Sequence, residues 1–178
     1  MKQSCLMLGV GHGKPIRRLK CPTSVPESDT DWLTLDNNPA AEPDFLFDLE
    51  DLERGYKIPC PDEHFDEIHA YEVLEHFGRQ GDYRGLFNTF KEFWRVLKPK
   101  GMLIGTCPDL KSPWLWGDPG HTRVISQGVL SFLRREHYEQ LGRTVSSDYR
   151  AFINPCWWEI LYARVAEDSF IFCLNKVS

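Results

Sequence analysis

Residues 5–13 read Cys5-Leu6-Met7-Leu8-Gly9-Val10-Gly11-His12-Gly13, four apolar residues that run straight into a glycine-rich turn. A short apolar run bounded by turn residues is the mark of a buried strand, and glycine lets the backbone after it approach a ligand closely. Working outward, Trp32-Leu33-Thr34-Leu35 stops at Asp36-Asn37-Asn38-Pro39, Phe45-Leu46-Phe47 stops at Asp48, and Phe65 to Tyr71 is followed by Glu72-Val73-Leu74-Glu75-His76-Phe77. Each reads as a strand closed by polar turn chemistry.

The period then changes. Tyr83, Leu86, Phe87, Phe90, Phe93, Trp94 and Leu97 recur at helical spacing, which predicts one long amphipathic helix with this stripe in the core. Lys98-Pro99-Lys100-Gly101 is expected to end it, proline by breaking the hydrogen-bond ladder and glycine by taking a left-handed exit. Met102 to Thr106 reads as a fifth strand, closed by Cys107-Pro108-Asp109. A second helix is expected over roughly Ser126 to Leu141, with strands at Tyr149 to Ile153 and Phe170 to Leu174 and room for a short helix between them. Trp157 and Trp158 are expected to fill the gap between those last strands. The segment Lys14 to Asp31 carries Pro15, Pro22 and Pro26 and reads mainly as loop.

Strands alternating with helices predict an α/β, doubly wound, mostly parallel sheet, whose ligand site lies at the carboxyl ends of its strands. The residues just past the five strands are the glycine turn, Asp36, Asp48, Tyr71 to His76 and Cys107 to Asp109. Backbone N–H groups of a glycine turn suit a carboxylate or phosphate. An acid after the second strand can accept both ribose hydroxyls, and one after the third can accept from an adenine amine.

Composition narrows the options. The 178 residues suit one domain over 1–178, and a net charge of −5 argues against binding bulk nucleic acid. Cys5, Cys21, Cys60, Cys107, Cys156 and Cys173 are scattered without metal-ligand spacing, and no metal is expected. They read as free thiols of a reducing compartment, and the early apolar run is too short for a leader or a membrane span, so the protein is expected in the cytoplasm.

The stretches Leu8-Gly9-Val10-Gly11, Leu35-Asp36, Phe47-Asp48-Leu49-Glu50-Asp51-Leu52, Phe65-Asp66 through Glu75-His76, Phe93 to Pro99 and Gly120-His121-Thr122-Arg123-Val124 together resemble class I S-adenosylmethionine (SAM)-dependent methyltransferases, in particular the small type 11 group. The resemblance spans roughly residues 5 to 135. It implies a Rossmann-like seven-stranded sheet with an antiparallel last strand, SAM as cofactor and methyl transfer to a small molecule or side chain. Gly9 and Gly11, with Val10 between them, would face the methionine moiety, Asp36 the ribose and Asn37 the adenine. Asp48 and Leu49 would meet the adenine edge, and Tyr71 and Glu72 the methionine side. His76 and His121 are the candidate bases for a poor acceptor nucleophile, whereas Glu75 is expected to cap or pack.

Three departures from the family pattern stand out. Met7 replaces a common acid, Lys100 a common glycine, and the helix after the glycine turn is nearly absent. The last of these would leave one sheet face to be covered by the 14–30 loop or by a second copy of the chain, as a homodimer. Trp114 and Trp116 lie in an irregular loop and form either an acceptor lid or a local cluster on the body. Two other functions compete: a nicotinamide-dependent oxidoreductase, which would want Gly or Ala where Lys14 stands, and a non-catalytic binding or scaffold domain.

Overall fold

The computed structural model describes residues 2–11, 30–143 and 145–177. The expectations for Cys21 and the loop before residue 30 therefore lie outside the described residues. Seven strands form one sheet: β1 (Gln3–Leu8), β2 (Thr30–Asp36), β3 (Phe45–Leu46), β4 (Phe65–Tyr71), β5 (Leu97–Pro108), β6 (Trp158–Ala166) and β7 (Ser169–Lys176). Their spatial order is β3-β2-β1-β4-β5-β7-β6, with β7 antiparallel to both neighbours and the pairings from β3 through β5 parallel. The reversal between β2-β1 and β4 puts a crevice at the carboxyl ends of β1 and β4.

Strand alternation separates two faces. Leu6, Leu8, Leu35, Ile68, Ala70 and Leu103 enter the main core, where they meet Phe87, Phe90, Phe93 and Val96 of helix α2 (Tyr83–Val96). Asp82 caps α2, its side chain accepting from the Gly85 amide at 3.1 Å. Burial of each large apolar side chain contributes about 1.5–3 kcal/mol. A short helix α1 (Glu50–Glu53) adds Leu52 to the same core.

The end of α2 differs from expectation. Leu97 is already extended, and β5 begins there rather than at Met102, so Lys98 to Gly101 form an irregular stretch of the strand opposite Asp66. Lys100, not Gly101, takes the left-handed backbone, with φ of 64°. Gly101 serves close approach instead: a Cβ there would stand 2.8 Å from the Lys98 carbonyl oxygen.

The expected helix over Ser126 to Leu141 is broken in two. Only α4 (Gln127–Ser131) is α-helical, and a 3-10 segment follows at Arg135–Gln140. The Leu133 carbonyl, which would continue the helix, accepts from the Trp158 amide at 3.1 Å, so the start of β6 takes the place of the next turn. Tyr149 to Ile153 is likewise not a strand. Arg150–Ile153 forms a short helix, α5, whose Phe152 ring stacks on Phe87 and meets Tyr83 and Tyr149 edge to face, within an aromatic cluster at centroid distances of 5.0 to 6.4 Å. The segment expected to hold a helix carries β6 instead, and Trp158 opens that strand fully buried. Helix α3 (Trp114–Gly117) holds Leu115 inside while Trp114 and Trp116 stand 64% and 67% exposed, so they do not fold onto the body. Among the described residues no helix is long and apolar enough to cross a membrane, and Cys5, Cys60, Cys107, Cys156 and Cys173 are free thiols.

Candidate functional site

A cleft with about 770 Å³ of empty space, open mouth included, lies at the carboxyl ends of β1, β2 and β4. The space within it open to the centres of water-sized spheres is about 320 Å³, at the lower end of the roughly 300–1,000 Å³ common for small-molecule sites. Of the residues singled out in the sequence, Gly9, Gly11, Asp36, Asn37, Asp48, Leu49, Glu72 and His76 line it. Val10, Tyr71 and His121 do not. Tyr71 points to the opposite face of the sheet, where its hydroxyl lies 2.6 Å from Nδ1 of His69.

The glycine turn is held from two sides. Gly9 donates to the Leu35 carbonyl at 2.9 Å and Gly11 to Oδ2 of Asp36 at 2.9 Å. Both glycines have positive φ, and a Cβ on Gly9 would collide with Val73. At Gly11 an added Cβ meets nothing within 4 Å among the described residues. Asp36 is 8% exposed and accepts a second backbone hydrogen bond from Asn38 through Oδ1. Two amide donors orient the carboxylate while its remaining lone pairs stay available to the cleft. Asp48 caps the start of α1, its Oδ1 accepting from the Glu50 amide at 3.0 Å.

Sequence reasoning missed the apolar lining. Leu35, Phe47, Val73 and Phe77 also border the cleft. The signal was available, since each adjoins a polar residue already singled out, but an apolar residue next to a strand end reads first as core. Glu72 holds φ of 52°, uncommon for a non-glycine residue, and its amide donates to the Thr106 carbonyl at 2.9 Å. Strain of this kind clusters at sites where side chains must be aimed.

Next to Glu72, the loop after β5 folds back onto the segment after β4. Thr122 and Arg123 both donate to the Glu75 carbonyl, at 2.8 and 3.3 Å. This brings His121 against His76, with ring centroids 4.6 Å apart, although the two lie 45 positions apart in the sequence. His76 borders the cleft, while the His121 ring sits behind it, buried, with Nδ1 3.3 Å from the Leu115 carbonyl. Arg123 locks the loop: its buried guanidinium pairs with Glu53 and donates to the carbonyls of Arg79 and Asp82, both at 3.0 Å.

Glu75 neither caps nor packs in the way expected. It is fully buried, and no hydrogen bond of ordinary geometry reaches either carboxylate oxygen, although the Cys107 thiol stands beside it. Burial pushes its carboxyl up to about 8, and the nearby Glu72 charge acts in the same direction. Burial and the Glu75 charge together raise the Cys107 thiol well above its ordinary value.

The fold is shared with solved proteins. The chain is similar to a SAM dependent methyltransferase from Archaeoglobus fulgidus (TM-score 0.58, 12% identity), with 98% of this chain and 86% of that one covered. It is similar also to the N-methyltransferase NodS from Bradyrhizobium japonicum WM9 in complex with S-adenosyl-L-homocysteine (TM-score 0.58, 12% identity, 99% and 79% covered). A third likeness is to the [4+2]-cyclase SpnF (TM-score 0.56, 14% identity, 99% and 75% covered). At these identities the likeness is one of fold, and folds of this kind host varied chemistry. No curated protein matches the chain by sequence. The family described as "Methyltransferase domain" does match, over residues 6–105, which takes in the glycine turn, Asp36, Asp48, Glu72 and the whole of α2. With more than half of its length matched and the seven-stranded sheet in place, the chain belongs to the methyltransferase domain family.

Proposed function

We propose that the cleft binds SAM and that the protein transfers its methyl group to a small-molecule or side-chain acceptor. The observation that carries this reading is Asp36: a nearly buried carboxylate, fixed by the Gly11 and Asn38 amides, at the floor of a cleft bordered by the glycine turn. A carboxylate so oriented suits a vicinal diol, and the positive φ of Gly9 and Gly11 suits a backbone that approaches a ligand closely.

In this reading Asp36 accepts from the ribose hydroxyls. Asn37, Asp48, Leu49 and Phe47 enclose the adenine, and Gly9, Gly11 and Glu72 take the methionine end. Met7 is buried and contributes no charge to the amine, so Glu72 is the acid at that end of the cleft. When bound, SAM supplies an electrophilic methyl carbon on a good leaving group, so the protein contributes chiefly by positioning and by excluding water. His76 borders the cleft at the Glu72 end and is the group available to the acceptor, with the buried His121 ring behind it. The oxidoreductase reading has less support, because the dinucleotide-binding sheet runs in the order 3-2-1-4-5-6, whereas here a reversed β7 stands between β5 and β6.

Titration calorimetry with SAM, S-adenosylhomocysteine and NADH tests the proposal. Micromolar binding of the first two, weakened about 5–150-fold by Asp36→Ala, and no response to NADH is the expected result. A folded protein that binds none of them would be a scaffold instead, and the assignment would be withdrawn.

A further inference from the structure

Glu75, His76 and His121 are brought together by two loops. One potential ligand atom from each lies within 4.8 Å of the other two. Donors around a first-row metal ion at about 2.0–2.2 Å stand at most about 4.4 Å apart, so a small rotation of the exposed His76 ring would close the set. Three independent features point the same way. The Glu75 carboxyl is wholly buried and lacks hydrogen bonds of ordinary geometry, which as a carboxylate is costly unless a proton or a cation compensates it. The Leu115 carbonyl beside Nδ1 of His121 favours the tautomer that leaves Nε2 with a lone pair, as outer partners of metal-bound histidines do. Gly120 permits the His76 ring to sit close, since a Cβ there would stand 3.2 Å from Nδ1 of His76.

We propose that Glu75, His76 and His121 bind one divalent first-row transition-metal ion beside the cleft. Two imidazoles and one carboxylate suit Mn²⁺, Fe²⁺, Co²⁺ or Zn²⁺ rather than Mg²⁺ or Ca²⁺, which prefer all-oxygen sets. Asp118, with Oδ2 3.9 Å from Nε2 of His121, and Glu72, which borders the cleft next to His76, add negative charge around the ion. Because His76 borders the cleft, an ion held there would stand at the cleft's edge. The site requires only these three side chains and does not depend on the identity of the cofactor.

The test uses untagged, chelator-treated protein titrated with Co²⁺, read by its visible absorption and by calorimetry, with SAM binding measured in parallel. One equivalent is expected to bind, with at least about tenfold weaker binding in His76→Ala, His121→Ala and Glu75→Gln. His64→Ala, remote from the site, should bind as the parent does. His76 is exposed, so its alanine variant tests the site even if Glu75→Gln fails to fold. No Co²⁺ uptake by protein that still binds SAM, or uptake indifferent to all three substitutions, overturns the proposal. Co²⁺ uptake without SAM binding supports the ion site and overturns the cofactor reading instead.

Discussion

The Gly11 amide donates to Oδ2 of Asp36 at 2.9 Å, so the turn after β1 is held by the acid that ends β2. One carboxylate thus has two tasks, shaping the turn and facing the ligand. Asp36→Ala should weaken SAM binding by about 1–3 kcal/mol, or about 5–150-fold, through loss of charge-assisted hydrogen bonds. Calorimetry on the folded variant gives the answer, and an unchanged affinity would remove Asp36 from the ligand site.

Gly9 and Gly11 share a left-handed backbone but differ in their surroundings. Gly9→Ala adds a collision with Val73 to the backbone strain, whereas Gly11→Ala carries the strain alone. Chemical denaturation should show a loss of about 1–2 kcal/mol for Gly11→Ala and a distinctly larger one for Gly9→Ala. Equal losses would mean that the Val73 contact yields freely.

Lys100 occupies a conformation that glycine adopts without strain, and its side chain is exposed. Lys100→Gly should relieve the strain and lose part of the gain to a more flexible unfolded chain. The net stabilisation is about 0.5–1 kcal/mol. A lower midpoint in urea for the variant would contradict this.

The buried Arg123–Glu53 pair fastens the loop that carries His121. Arg123→Ala should cost about 3–5 kcal/mol at neutral pH, because it strands a buried carboxylate. The pH dependence has a definite sign. Burial raises the Glu53 carboxyl above its ordinary 4.5, and Arg123 opposes that rise. A carboxyl with a raised folded-state value contributes most below its unfolded value and loses that contribution as pH climbs through the folded one. Without Arg123 the loss steepens, so the gap between variant and parent should be wider at pH 7.5 than near pH 4.5, as denaturation at the two values would reveal.

The sequence made most of the parallel half of the sheet legible, because β1, β2 and β4 are buried on both faces and α2 carries an unbroken apolar stripe. It misled beyond residue 125, where apolar residues serve contacts distant in sequence. Leu130, Leu133 and Tyr138 are buried as expected, yet the Leu133 carbonyl accepts from the Trp158 amide where a continuing helix would have used it. β6 gave almost no periodic signal, for only Trp158 of its nine residues is buried. Within the site, the strand-end acids and glycines stood out by residue type. The approach of His121 to His76 did not, since it depends on a loop returning through Thr122 and Arg123 to the Glu75 carbonyl.

The position of β7 between β5 and β6 has a consequence for biosynthesis. On its outer side β5 pairs with residues 169–175, synthesised 61 to 73 positions after their partners. Until the ribosome releases that last strand, β5 is a bare, largely apolar edge open to pairing with any neighbouring nascent chain. Premature stops after α2 should therefore yield insoluble fragments rather than a smaller folded domain.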